Sequence, residues 1–203
     1  MQAGYIQGNL RGGGSVKRSE TTKFLSRLLE KSRFSGPGKY WAREVSLDYG
    51  YAAGKARRVD YMQFIPENQC SISAIEKGIF TCYEIKSCKE DIYSGNGLNF
   101  ISEKNYLVTT MECYKEILPD FKNGKFAKHI RENFPECYAE IGNMGVMVAV
   151  PYQREVAEEF ENPTPLDGDV EKWKLSVVLK CGHNGSRKRS MTELLFCMVR
   201  SGH

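Results

Sequence analysis

Apolar positions along the chain keep two rhythms. Phe24, Leu25, Leu28 and Leu29 recur at helical spacing and predict an amphipathic helix, capped at Ser15 or Ser19 and running to about Arg33. "SGPG" (Ser35 to Gly38) ends it. From Tyr40 to Tyr49 the pattern alternates as in a strand, and "YGYAAGKARR" then reads as a connection with a basic end. "VDYMQFIP" is a short strand stopped by Pro66, followed by a polar, hairpin-like segment. "GIFTCYEIKS", rich in aromatic and β-branched residues, is the predicted central strand.

"GNGLNF" is a turn or loop and "KNYLVTT" a short strand. "MECYKEIL" begins a helix that Pro119 is expected to end, since proline lacks a helical N–H. A helix around Phe126 to Asn133 leads to "MGVMVAVP", the most apolar strand of the chain. "EEFENPTPLDGD" is a polar excursion, "WKLSVVLK" a late strand, and "SMTELLFCMVRS" a closing amphipathic helix. The glycine-rich residues 1–14 read as a flexible lead-in, which leaves 15–203 as one domain. A helix, then three strands, then a mixture of both predicts an α/β fold on a mixed sheet flanked by helices.

Composition narrows the setting. With 41% hydrophobic and 27% charged residues, the 203-residue chain is an ordinary globular one. A net charge of +4 suits an acidic partner without requiring one. Seven cysteines without a Cys-x-x-Cys pair, and the scattered His129, His183 and His203, do not make a zinc site. Cys181 and His183 offer only two corners of one. Unpaired cysteines point to a reducing compartment. No apolar run approaches the roughly 20 residues that span a bilayer. The N-terminal stretch lacks the apolar core of a signal peptide. These features predict a cytoplasmic protein with no membrane partner.

Glu84 and Lys86 stand out, because charged groups are costly in a buried strand. Two apart, they project to the same face. Asp60 in "RRVDYM" would sit beside them if the two strands pair. Two carboxylates and the Ile85 carbonyl would then form an oxygen-only site suited to Mg²⁺ or Mn²⁺. Lys86 would hold or help deprotonate a water there.

An Asp on one strand followed by Glu-x-Lys on the next, after a helix, resembles the PD-(D/E)XK nuclease superfamily. Its restriction-endonuclease-like core runs helix, three strands, helix, strand, and the resemblance covers roughly Ser15 to Pro151. The stretch from "EIKSCKEDIYSGNGLNF" through "KNYLVTTMECYKEI" to "GVMVAV" is similar to the MmcB-like and phage-borne branch. The resemblance implies that Asp60 and Glu84 bind the metal, that Lys86 is the catalytic lysine, and that Glu20 is an added acid. It also implies Mg²⁺-dependent cleavage of DNA, leaving a 5′ phosphate, by a protein of phage or mobile-element origin. A Gln-x-x-x-Tyr motif is absent from the second helix.

Each residue has a plainer reading. Glu-x-Lys alone is a weak signal, and Asp120-Phe121-Lys122 has the same form in what reads as a loop. Glu20 would also complement a helix dipole, and Glu44 is an exposed-edge carboxylate that could approach the site. Lys55, Arg57 and Arg58 before Asp60, and Arg187, Lys188 and Arg189 in "SRKRS", are either phosphate contacts or solvated turns. Cys82 shares the Glu84 face as packing. Tyr106 and Tyr114 read as core or half-buried residues. The alternative function is a non-cleaving nucleic-acid-binding or inhibitory module that keeps the nuclease fold.

Overall fold

The computed structural model describes residues 13–48, 57–135, 143–182 and 186–201. They form an α/β fold on one six-stranded mixed sheet whose strands lie in chain order. The strands are β1 (Tyr40–Ser46), β2 (Arg58–Ile65), β3 (Ile79–Ile85), β4 (Lys104–Thr110), β5 (Met144–Pro151) and β6 (Trp173–Leu179). The first three form an antiparallel meander, β3, β4 and β5 run parallel, and β6 returns antiparallel.

The helices are α1 (Gly13–Leu29), α2 (Ile72–Glu76), α3 (Lys89–Tyr93), α4 (Met111–Lys122), α5 (Lys125–Asn133), α6 (Val156–Glu161) and α7 (Met191–Ser201). Helix α1 lays Phe24, Leu25, Leu28 and Leu29 on one face of the sheet, against Tyr83, Ile85, Val108 and Met147. On the other face, α4 and α5 cover β4 and β5 through Ile117, Phe126 and Ile130. Leu194, Cys197 and Met198 of α7 cover β1 to β3. Parallel strands covered on both faces need apolar residues throughout, and seven of the eight residues of β5 are buried. No helix among the described residues is long and apolar enough to cross a membrane.

Several predicted elements shift. Helix α1 already includes Gly13, so Ser15 and Ser19 lie inside it and not at its start, and it closes in a π-helical turn, Glu30–Phe34. Gly13 and Gly14 therefore belong to a helix, while residues 1–12 fall outside the described part. Strand β1 stops at Ser46 instead of Tyr49. The hairpin-like segment is the short helix α2, nucleated where Ser71 Oγ accepts the Ala74 N–H at 3.2 Å. The excursion overlaps α6, which starts before it and is opened by a capping box between Glu155 and Glu158.

Pro119 does not end its helix. It costs one backbone bond, yet α4 continues to Lys122 because its last turn is held by tertiary contacts. Asp120 is buried there, 2.9 Å from the Tyr93 hydroxyl and 2.6 Å from Lys89 Nζ. Asp120-Phe121-Lys122 therefore lies on a helix, not in a loop. The Lys89 ammonium, opposed by burial, holds the Asp120 carboxyl below the usual range.

Candidate functional site

Antiparallel pairing of β2 with β3 in the register Tyr61↔Tyr83 carries Asp60 to the position beside Glu84. What aims the Asp60 side chain is an irregularity in the neighbouring pair. Glu44 has φ +53 and is skipped between the partners Arg43↔Tyr61 and Val45↔Val59. On a regular strand Val59 and Tyr61 would share a face. Here Tyr61 packs under α1 while Val59 packs under α7. Both strands turn over at this point, β1 at Glu44 and β2 at Asp60, with no residue inserted and the register unchanged. Its carboxylate lies across β3 instead of above it: the Ile85 N–H donates to Asp60 Oδ2 at 2.9 Å.

Glu84 therefore faces a second carboxylate inside the fold. It is 7% exposed, and its Oε1 is buried without a hydrogen-bond partner among the described residues. Burial first, and then the Asp60 charge, push the Glu84 carboxyl well above the ordinary range, against the pull of Lys86. A buried acceptor left unpartnered costs about 1–3 kcal/mol.

Lys86 is 4% exposed, more deeply buried than most lysines. Its Nζ donates to the Asn96 carbonyl at 2.5 Å and lies 3.7 Å from Asp91 Oδ1. Asp91 also accepts the Ser87 N–H at 3.3 Å, so the strand end and α3 are tied to each other. The turn after α3 closes over both charges. Gly97 has φ +79, and a β-carbon there would lie 2.1 Å from Glu84 Oε2, so only glycine fits. Asn99 Nδ2 donates to the Arg58 carbonyl at 2.6 Å and fastens the turn to β2. Beneath it remains a cavity of about 10 Å³, lined by Val59, Cys82, Glu84, Gly97 and Leu107 among others.

The triad of Asp60, Glu84 and Lys86 is thus brought together, with the Ile85 main chain between them. Other candidates fall elsewhere. Glu20 is exposed on α1, with no hydrogen bond or ion pair to the triad. Arg18, from the same helix, reaches Glu90 of α3 at 3.4 Å. Glu44 pairs with Arg58 at 2.7 Å, both more than half exposed. Among the described residues, no group of three or more His, Cys, Asp or Glu side chains could hold a metal ion. Cys181 bonds the Asn143 carbonyl, and His183 falls outside the described part.

The basic residues divide. Lys55 lies outside the described residues. Arg57 and Arg189 both close on Asp48, at 2.9 Å and 2.5 Å. They hold its carboxyl well below the usual range, with Arg57 the larger influence. Arg187 is 3.0 Å from Glu103 and stacks on Phe80. The Lys188 N–H donates to the Ile101 carbonyl. Of the four arginines, Arg58 has the most exposed side chain. Cys82 is buried on the Glu84 side, Tyr114 is buried, and half-buried Tyr106 stacks on Tyr83 at 6.0 Å.

Asp91, Asn96, Gly97 and Asn99 complete the site although sequence reasoning gave them no role. For Asn96, Gly97 and Asn99 the signal was "GNGLNF", which marks a turn but not what the turn covers.

No protein-family model and no curated protein matches the sequence. Among solved structures, the chain is similar to a protein of unknown function from Silicibacter pomeroyi. The two are 13% identical with a TM-score of 0.47, and the likeness covers 90% of this chain and 83% of that one.

Proposed function

We propose that the protein is a divalent-metal-dependent nuclease of the PD-(D/E)XK type acting on DNA. The observation that carries this reading is the bond from the Ile85 N–H to Asp60 Oδ2, which sets one carboxylate beside another whose Oε1 has no partner. Two like charges in a buried place are unfavourable together. A cation between them removes that penalty, so the donor set fits Mg²⁺ or Mn²⁺. Asp60, Glu84 and the Ile85 carbonyl would hold it. When bound, it would offset negative charge on a phosphodiester under attack.

The chain's own groups supply the rest. Lys86, on the same face as Glu84, orients a water for attack on phosphorus and stabilises the charge that develops. As the water oxygen bonds to phosphorus, the bond to the 3′ oxygen breaks. The water's proton is lost to solvent, the 3′ oxygen takes one up and leaves as a hydroxyl, and a 5′ phosphate remains. Arg58 is positioned to meet a flanking phosphate, at the expense of its exposed pair with Glu44. The test is incubation with single-stranded, double-stranded and branched DNA, with and without Mg²⁺ or Mn²⁺. Cleavage by the wild type only with cation, and none by Glu84→Gln, is the expected result. Full cleavage by Glu84→Gln contradicts the assignment.

A second reading, a non-cleaving module that binds nucleic acid or inhibits another protein, is favoured by the burial of Glu84 and Lys86 beneath Gly97 and Asn96. It requires DNA affinity that ignores Mg²⁺ and survives Glu84→Gln.

A further inference from the structure

Mg²⁺ or Mn²⁺ bound by two carboxylates and a carbonyl keeps several waters, yet Glu84 is buried and its Oε1 is shut off from solvent. The obstruction is local. Gly97 lies against Glu84 Oε2, and the Asn96 carbonyl holds Lys86. On either side the turn is anchored. The Ser94 hydroxyl donates to the Asp91 carbonyl at 2.7 Å, while Leu98 and Phe100 are buried in the core beside α4. The Asn96–Gly97 tip can therefore lift without unpacking its ends.

We propose that this tip is a cover on the Asp60–Glu84 pair, closed in the cation-free protein and lifted by a divalent cation. The inference rests on the metal-site reading above and assigns that site its regulation. Closure and cation binding exclude each other in space, so whatever weakens one strengthens the other. Lifting also releases Lys86 from Asn96, which makes its ammonium available only when a cation is present. The cover thus couples the lysine to the metal: an unloaded site has neither an open face nor a free ammonium.

Hydrogen exchange on the full-length protein, titrated with Mn²⁺, distinguishes this cover from ordinary ligand stabilisation. Binding normally protects amides near a site. Here the Asn96 to Asn99 amides are expected to exchange several-fold faster once Mn²⁺ is bound, while β3 and β4 become no less protected.

Gly97→Ala, whose new methyl cannot share space with Glu84 Oε2, is expected to bind Mn²⁺ about fivefold or more tightly than the wild type. Asn99→Ala, which removes only the tie to Arg58, is expected to shift affinity in the same direction and serves if Gly97→Ala does not fold. Mn²⁺ binding to the wild type with an unchanged or better protected tip overturns the cover and leaves the metal site standing. Wild-type affinity in a folded Gly97→Ala, or in Asn99→Ala, does the same. Failure of wild type and variants alike to bind Mn²⁺ overturns the metal site, and the cover with it.

Discussion

Arg189 reaches back 141 residues to place its guanidinium 2.5 Å from the Asp48 carboxylate. Arg57 grips the same group from β2's side, through its main-chain N–H at 3.1 Å and its Nε at 2.9 Å. This joins the end of β1, the start of β2 and the entry to α7 at one point, next to the strand that carries Asp60.

Asp48→Asn should therefore destabilise the fold by about 2 kcal/mol at pH 7, a loss in keeping with hydrogen bonds to charged groups. The arginines hold the Asp48 pKa below its unfolded value. Its contribution is thus fully present above the ordinary carboxylate range and is lost as pH falls through the lowered native value. Urea denaturation at pH 7 and at pH 3 should show the gap between wild type and variant narrowing on acidification. A gap that stays constant would mean that the charge is not what Asp48 contributes.

The same geometry separates the basic residues by role. Arg189→Ala should lower stability while leaving the salt dependence of DNA binding unchanged. Arg58→Ala should leave stability within about 0.5 kcal/mol, because exposed pairs contribute little. It should lower the slope of log affinity against log salt by about one contact. Binding isotherms at several salt concentrations decide this.

The sheet and most helices were legible because their rhythm is local. Alternation gave β1, aromatic and β-branched residues gave β3, the apolar run of β5 marked a strand, and four residues spaced as a helix face placed α1. The triad was legible because a buried strand with Glu84 and Lys86 breaks the expected pattern. The conformation at Glu44 that turns Asp60 across β3 was not, since nothing in "REV" announces a positive φ at a glutamate. The closing of the Asn96–Gly97 turn over Glu84 was equally hidden, because turn chemistry fixes a turn's shape and tertiary contacts decide what it covers. Pro119 misled for a related reason: Asp120 anchors the following turn through Lys89 and Tyr93, residues some thirty positions earlier.

Pro119→Ala should accordingly stabilise the protein, by about 1 kcal/mol, by restoring a donor within α4 and removing a ring from a helix interior. Thermal melts give the answer. A loss of stability would mean that the local backbone is adapted to the proline.

Glu84→Gln should raise the melting temperature in the presence of chelator, corresponding to about 1–2 kcal/mol, the usual scale of a relieved functional constraint. An amide carries no charge to bury and offers an N–H to the neighbouring Asp60 carboxylate. Stabilisation together with loss of cleavage would mark Glu84 as a group kept for function against the interest of the fold.

Lys86→Met should retain the fold with a modest loss of stability, since the linear side chain fills the same space while the Asn96 carbonyl loses its donor. Cleavage should fall by about 10²–10³-fold, as when one preorganised donor to transition-state charge is removed. Single-turnover rates with saturating Mg²⁺ separate this from weaker DNA binding.

The most direct measurement is anomalous scattering from wild-type crystals grown with Mn²⁺. The account predicts a single strong peak roughly 2.0–2.3 Å from a carboxylate oxygen of Asp60 and one of Glu84, absent in Glu84→Gln. A fully ordered site with no peak, or Mn²⁺ bound elsewhere and unaffected by that substitution, would contradict it.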